Sequence, residues 1–423
     1  MSLVLSTEQQ AALDIICKTR QHIFLTGEAG TGKSVLIRAV AEAMEVAITA
    51  TTGLAALNVG GTTVDRLFNI NRDEWVIRNR RKLANNMMAC PDDIVIDEIS
   101  MAGHCMLNLL RDCAEEFGKR LIMVGDLAQA APVKDIWGVN STLFLGAEKI
   151  KLREVHRQKD PVFINALRSI RRGEPDEEAS KVMLGCVGKP DERHTMLFAT
   201  NKDVDKHNDR MLAKLVSPGP DVLLRASFKD HRDEDLKELH PAPEGQIRSF
   251  MDDSRLANGE VVRIGARVMM TKNGRDEVSY VNGDCGEIVD IIDDNGFSVR
   301  DSLLYKIPSD KIHHLLIKLD RWDEPIEVER AMVASLDAEE APVFSAFGFP
   351  VRLGWAVTTH KCQGMSLDNV FIDIDTISKM KTKESTHGLA YVAVSRARTR
   401  EGLRIARWAP ELVYCDPAVK PFL

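Results

Sequence analysis

Residues Gly27-Glu28-Ala29-Gly30-Thr31-Gly32-Lys33-Ser34 fit the pattern Gly-x4-Gly-Lys-Ser, and further on the chain reads Ile94-Val95-Ile96-Asp97-Glu98. The first stretch offers anion binding. Glycines let successive backbone N–H groups turn onto phosphate oxygens, and a helix N-terminus adds a favourable field. Lys33 is placed to reach β- and γ-phosphates, and the Ser34 hydroxyl to hold Mg²⁺. The second stretch is an apolar strand that ends in two carboxylates. Asp97 would sit by the metal, and Glu98 where it orients or deprotonates a water. Together the two stretches point to hydrolysis of a nucleoside triphosphate.

Three further positions could take part. The run Val124-Gly125-Asp126-Leu127-Ala128-Gln129 ends a strand on a loop whose Gln129 suits a sensor of the γ-phosphate or attacking water; the plain alternative is an ordinary polar turn. Arg157 lies in Leu152-Arg153-Glu154-Val155-His156-Arg157-Gln158, and Arg396 in Tyr391-Val392-Ala393-Val394-Ser395-Arg396-Ala397-Arg398. An arginine supplied from a second domain stabilises the charge of a phosphoryl group in transfer. An isolated arginine is more often a surface ion pair, and both readings stay open here.

These residues need a scaffold. His22–Thr26, Val46–Ala50, Ile94–Asp97 and Leu121–Gly125 are short apolar strand candidates, each running into a loop with polar chemistry. That is the pattern of a parallel sheet carrying its ligand groups at the strands' carboxyl ends. Val35–Val40 has helical composition, so strand, glycine loop and helix follow in the order the phosphate motif requires. Lys181–Arg193 is a polar connection and a plausible boundary, which gives a first domain over 1–190 and a second over 191–423. Thr195–Asn201 opens the second α/β unit, and residues 229–240 form a solvated charge run. Two Asn-Gly turn signals follow, the second expected to join Glu287–Ile292 to Phe297–Arg300 as a hairpin. Residues 275–345 are expected to form a small β-barrel inserted in the second domain, which resumes at Val351–Val357.

Bulk properties exclude other classes. The chain has 423 residues, 44% hydrophobic and 28% charged, as ordinary globular proteins do. No apolar run is long enough for a membrane span, and the N-terminus lacks a signal-peptide pattern. The eight cysteines are scattered without a Cys-x-x-Cys pair, which argues against zinc or a disulfide framework and for a reducing cytosol. A net charge of −7 leaves nucleic acid open, since binding needs a local basic groove. Aromatic residues make up only 5%, so single-strand contacts would run through phosphates, amides and hydroxyls.

The motifs as a set resemble the PIF-type helicases, a group that includes RecD and phage Dda-type superfamily I enzymes. The run Thr49–Thr63 resembles motif Ia, Ile96–Met101 motif II, and His156–Asp160 the first arginine motif. Trp355–Gly364 is similar to motif V and Ala390–Ala397 to motif VI, in the family's order over nearly the whole chain. The resemblance implies two RecA-like domains and ATP-dependent 5′→3′ movement on single-stranded DNA, with unwinding of forked duplex. It implies ATP with Mg²⁺, contacted at Gln9 (adenine), Gly27 to Ser34, and Gln363 (nucleotide sensing). Ser34 and Asp97 would hold the metal; Lys33, Glu98, Gln129, Arg157 and Arg396 would act on the phosphates. Thr51, Thr52, Thr359 and His360 fall where the family contacts DNA phosphates. The sequence departs from the family at Ala130-Ala131-Pro132 after Gln129, and at Cys362, where a serine is usual.

A strand-separating wedge is expected within 69–92, around Trp75 and Arg78-Asn79-Arg80-Arg81-Lys82; a basic solvated helix with Trp75 in the core is the equal alternative. The expected setting is a monomer in the cytoplasm of a bacterial or phage-infected cell, with replication or single-strand-binding proteins as candidate partners. Two rival functions remain: a translocase that strips proteins from DNA with little unwinding, and a nucleotide-gated DNA-binding module without turnover. Replication, recombination and repair are all open as pathways.

Overall fold

Strands buried on both faces need helices on either side, and the first part of the chain builds such a sheet. The computed structural model describes residues 4–52, 55–56, 59–71, 74–129, 131–132, 138, 141–232, 242–272, 274, 280, 282–302, 306–336, 342–359, 362–373 and 386–423. In chain order the first strands are β1 (Ile23–Gly27), β2 (Val46–Ala50), β3 (Thr62–Thr63), β4 (Ile70–Asn71), β5 (Val76–Ile77), β6 (Asp93–Asp97), β7 (Arg120–Gly125) and β8 (Glu148–Leu152). Six of them form one sheet in the order β3-β2-β6-β7-β1-β8, parallel throughout. Every residue of β1, β6 and β7 is buried. Along β1, Ile23 and Leu25 pack into one core with Leu36, Ile37 and Val40, whereas Phe24 joins a second core with Met106, Leu107 and Leu110. Because β6, β7 and β1 are neighbours, the loops after Asp97, Gly125 and Gly27 open side by side at one edge of the sheet. That edge is where α/β sheets hold ligands.

Residues 1–189, 359–364 and 372–423 make one compact unit, and residues 190–358 with 365–371 a second. Residues 372–423, assigned from sequence to the second domain, therefore group with the phosphate loop. The reason is burial: all six residues of the helix Leu389–Val394 are buried in that unit, and Val419 joins the same core as Phe24.

The second unit contains β9 (Thr195–Phe198), β10 (Asp221–Leu224), β11 (Ser227–Asp230), β12 (Glu260–Val262), β13 (Arg267–Met270), β14 (Cys285–Asp293), β15 (Lys306–Pro308), β16 (Ile312–Leu319), β17 (Ile326–Glu329), β18 (Ala331–Leu336), β19 (Pro342–Gly348), β20 (Val351–Leu353), β21 (Ala356–Thr358) and all but the last residue of β22 (Val370–Ile372). β9 lies between β21 and β22 and pairs in parallel with β21. A parallel arrangement thus recurs in each unit, as two RecA-like domains require. Between β9 and β21 the described residues form three further sheets, in the orders β12-β10-β15, β11-β19-β18 and β17-β16-β14-β13-β20. Antiparallel pairing begins with β10 and β12, well before residue 275. The Asn-Gly turn at 295–296 does reverse the chain, but Ile292 and Ser298 form only an isolated bridge. Ser298 instead caps a 3₁₀ turn over Val299–Asp301, and β14 takes the longer, alternating β16 as its partner.

β4 and β5 pair as a short ribbon, Ile70 with Ile77 and Asn71 with Val76. Trp75 packs against the first unit's core with a left-handed backbone, φ 53°. The helix Arg80–Ala89 buries Leu83 and Met87 and leaves its basic face to solvent. No helix among the described residues is long and apolar enough to cross a membrane, and no cluster of His, Cys, Asp or Glu among them is arranged for a metal.

Candidate active site

The phosphate loop leaves β1 at Gly27 and enters the helix Lys33–Ala43 through Gly32, which has φ 78° and caps the helix without a side chain. A Cβ at Gly32 would also collide with Gln9 Nε2, so only glycine suits the position. The uncapped N-terminus leaves backbone N–H groups available to an anion. Lys33 Nζ donates to the carbonyls of Gly27 (2.8 Å) and Glu28 (3.1 Å), within the turn of the loop. Burial pushes its pKa down, while the charges of Asp126, Glu98 and Asp97 oppose that shift. Ser34, one residue on, is exposed.

Asp97 ends β6 and accepts from Glu98 N–H at 2.8 Å. Burial, then the neighbouring Glu98 charge, raises the Asp97 carboxyl. Burial also raises Glu98, against Lys33, Gln363 and Arg396, which favour its charge. Glu98 has φ 53°, a left-handed backbone that costs a non-glycine residue about 1–3 kcal/mol. It is held there from several sides. Its carbonyl accepts from Thr51 Oγ1 at 2.7 Å, and its Oε2 accepts from Gln363 Nε2 at 3.0 Å.

The loop after β7 adds a carboxylate and an amide. Asp126 is fully buried and accepts from Arg171 NH2 at 2.7 Å and Arg171 Nε at 3.1 Å. Burial opposes its charge, but Arg171 outweighs that and holds its pKa low. Gln129 is buried, and its Oε1 lacks a hydrogen-bond partner among the described residues.

The motif VI segment meets these loops directly. Gly388, with φ 67°, starts the helix Leu389–Val394; a Cβ there would run into the carbonyls of Ala128 and Gln129. The Tyr391 hydroxyl accepts from Ala29 N–H at 2.9 Å and donates to Asp126 Oδ2 at 3.2 Å. Arg396 is 1% exposed and donates from Nε to Val392 O and from NH2 to Ser395 Oγ, each at 2.8 Å. That burial removes the surface ion-pair reading of Arg396. Arg157 is half-buried and donates to the carbonyls of Ser395 (3.0 Å) and Gly364 (3.4 Å), with burial and the Arg396 guanidinium working against its charge.

The other positions expected from sequence are placed as follows. The Gln9 amide is engaged locally, its Oε1 accepting from Ser6 N–H and its Nε2 donating to Thr31 O. Glu28 pairs with Arg168 at 3.0 Å. Thr51 and Thr359 are buried, and Thr51 Oγ1 is turned to Glu98. Thr52 is half-buried and caps Ala55 N–H at 3.1 Å. His360 and Ala130 lie outside the described residues. Sequence reasoning missed Tyr391, Arg171 and the Thr51 contact with Glu98. A lone tyrosine hydroxyl inside an otherwise apolar helix was the available signal for Tyr391; Arg171 carried none.

Asp97 and Ser34 each offer oxygen, the donor that suits a hard cation such as Mg²⁺. The adjacent Asp97 and Glu98 carboxylates, whose charged forms Lys33 favours, also leave negative charge for a cation to balance.

The family model described as an AAA domain matches residues 4–184, and the UvrD-like helicase C-terminal domain matches 353–403. The chain is 29% identical to the ATP-dependent DNA helicase Pif1 of Bdellovibrio bacteriovorus, over 99% of this chain and 91% of that protein. It is 30% identical to the human ATP-dependent DNA helicase PIF1, over 99% of this chain but 63% of the longer human protein. The crystal structure of the Candida albicans Pif1 helicase superposes with a TM-score of 0.72 at 27% identity, covering 100% of this chain and 99% of that one. Over nearly its whole length this chain is similar to the Pif1-type helicases.

Proposed function

We propose that this chain is an ATP-dependent DNA helicase that moves 5′→3′ along single-stranded DNA and opens forked duplex. One observation carries the reading. Gln363 and the segment from Gly388 to Arg396, which follow the second unit's strands β21 and β22 in sequence, are built into the phosphate site of the first. Thr359–Gly364 continues directly from β21, so a change at the phosphates is passed along the chain to the second parallel sheet.

In this mechanism the loop amides and Lys33 bind the β- and γ-phosphates. Glu98, aimed by Gln363 and by its left-handed backbone, accepts a proton from the attacking water. Gln129, whose Oε1 is unsatisfied, orients that water. Arg396 and Arg157 neutralise charge on the transferred group. Ser34 and Asp97 would hold a Mg²⁺ ion, which would supply positive charge to offset that of the phosphates. Gln9 braces the loop and reads adenine with what remains of its amide. Thr52 and His360 contact DNA phosphates, while Thr51 and Thr359, expected from sequence to do the same, are buried. Opening and closing of the site with nucleotide state then drives the motor.

The short β4–β5 ribbon favours one second reading, a translocase that displaces bound proteins with little unwinding. Unwinding of 5′-tailed against 3′-tailed duplex, beside protein displacement on the same substrates, tests both. Opening of the 5′-tailed substrate alone is expected; opening of the 3′-tailed one overturns the polarity, and displacement without opening favours the translocase. DNA-stimulated phosphate release is expected as well, and its absence would leave only a nucleotide-gated DNA-binding module. The same reading places the protein in the cytoplasm as a monomer among single-strand-binding and replication proteins, and sedimentation with and without DNA tests the monomer.

A further inference from the structure

The Tyr391 hydroxyl joins two loops that the phosphate chemistry uses separately. On one side it takes the Ala29 N–H of the phosphate loop at 2.9 Å. On the other it donates to Asp126 Oδ2 at 3.2 Å, at the head of the loop that carries Gln129. Asp126 cannot swing away, because Arg171 grips it with two nitrogens and Ala128 N–H donates to its Oδ1 at 3.1 Å. The tyrosine is itself fixed. It is 3% exposed, on a buried helix that ends just before Arg396 and whose N-cap Gly388 abuts the Ala128 and Gln129 carbonyls. Ala29 lies ahead of the helix N-terminus, so its amide is spent on shaping the loop. Arg396 and the Tyr391 hydroxyl sit on one short segment, and that segment cannot shift without releasing Ala29.

We propose that Tyr391 is a positioning residue for nucleotide binding: its hydroxyl ties the phosphate loop to the Asp126–Gln129 loop, so that loop shape and Arg396 placement change together. This rests on the reading of the phosphate loop as an ATP site. A preformed loop favours bound nucleotide in the ground and transition states alike, so losing the tie weakens binding more than it slows the chemical step.

The test is Tyr391→Phe, which keeps the ring and removes only the hydroxyl. It is read by the affinity for a fluorescent ADP analogue and by steady-state ATP turnover on single-stranded DNA, with melting temperature recorded. One hydrogen bond lost at each end, the one to the Asp126 carboxylate charge-assisted, predicts nucleotide affinity and ATP KM weaker by at least about fivefold to tenfold, with kcat falling by less. A merely structural hydroxyl would lower the melting temperature and leave KM and affinity as in the wild type, which overturns the proposal. So does a fall confined to kcat. Should Tyr391→Phe unfold, Asp126→Asn takes its place, since it removes the carboxylate charge that the Tyr391 hydroxyl donates to; the same KM shift in the same direction is expected and its absence fatal. Wild-type protein without turnover would sink the helicase reading instead, and the ADP affinity arm would still decide the role of Tyr391.

Discussion

Lys33 and Glu98 sit within the same group of buried charges but are assigned different tasks, and substitution separates them. Lys33→Ala removes the cation in the loop and is expected to abolish ATP turnover while single-strand binding persists; equal loss of both in folded protein would refute the assignment. Glu98→Gln preserves shape and the Gln363 neighbour but cannot accept a proton. It should bind ATP and stall, and near wild-type turnover would remove Glu98 as the base. Arg396→Ala should cut turnover by ~10³–10⁵-fold if the arginine meets the transferred phosphoryl group. A loss below about tenfold with an unchanged melting temperature would dismiss it. Lys33, Asp97 and Glu98 were legible in the sequence because each belongs to a local strand-and-loop pattern. Thr51 was legible only as a phosphate contact, since its partner Glu98 comes from the next strand of the sheet, and no spacing rule joins the two. Gln9 was read as an adenine contact, and its grip on Thr31 depends on how the first helix lies against the loop.

The helix Leu389–Val394 is short, wholly buried and fixed at its first residue. Gly388→Ala would force a Cβ onto two carbonyls and a side chain into φ 67°, which costs about 1–3 kcal/mol for the backbone alone. The expected result is ATP turnover lowered by at least tenfold with a modest fall in melting temperature. Unchanged kinetics would mean that the helix need not dock against the Gln129 loop. Elements of this sort mark the limit of sequence reading. The parallel strands β1, β6 and β7 announced themselves as unbroken apolar runs, because burial on both faces leaves no room for alternation. The antiparallel strands did not. The Asn-Gly signal after β14 was real, yet register is set by which neighbouring strand buries more apolar surface, and β16 offered Leu315, Ile317 and Leu319 where Phe297–Arg300 offered a capped turn.

The first unit draws on three separate stretches of chain, and its last stretch reaches into the main core. Val419 is fully buried there, His387 Nδ1 accepts from Asp416 N–H at 2.8 Å, and Lys420 pairs with Glu174. Val419→Asp would bury an unpaired carboxylate at a cost of at least ~2 kcal/mol. At ~2–4 °C per kcal/mol, calorimetry should show a fall of several degrees; an unmoved transition would show that the stretch adds nothing to the core. A boundary near residue 190 could be read from composition, whereas the return of residues 372–423 could not, because a chain's path back to an earlier core leaves no mark in local pattern.

That return has a bearing on how the protein is made. The phosphate loop and both strand-end carboxylates leave the ribosome early, but Gln363, Tyr391 and Arg396 emerge roughly 300 residues later, a delay of about 15–60 s at ~5–20 residues per second. Through that interval the nascent first sheet carries a phosphate-binding loop without the groups assigned to fire it. A chain cut short before Tyr391 would lack the groups assigned to hydrolysis and the last stretch of its own core, so turnover is expected only from a chain made to its end.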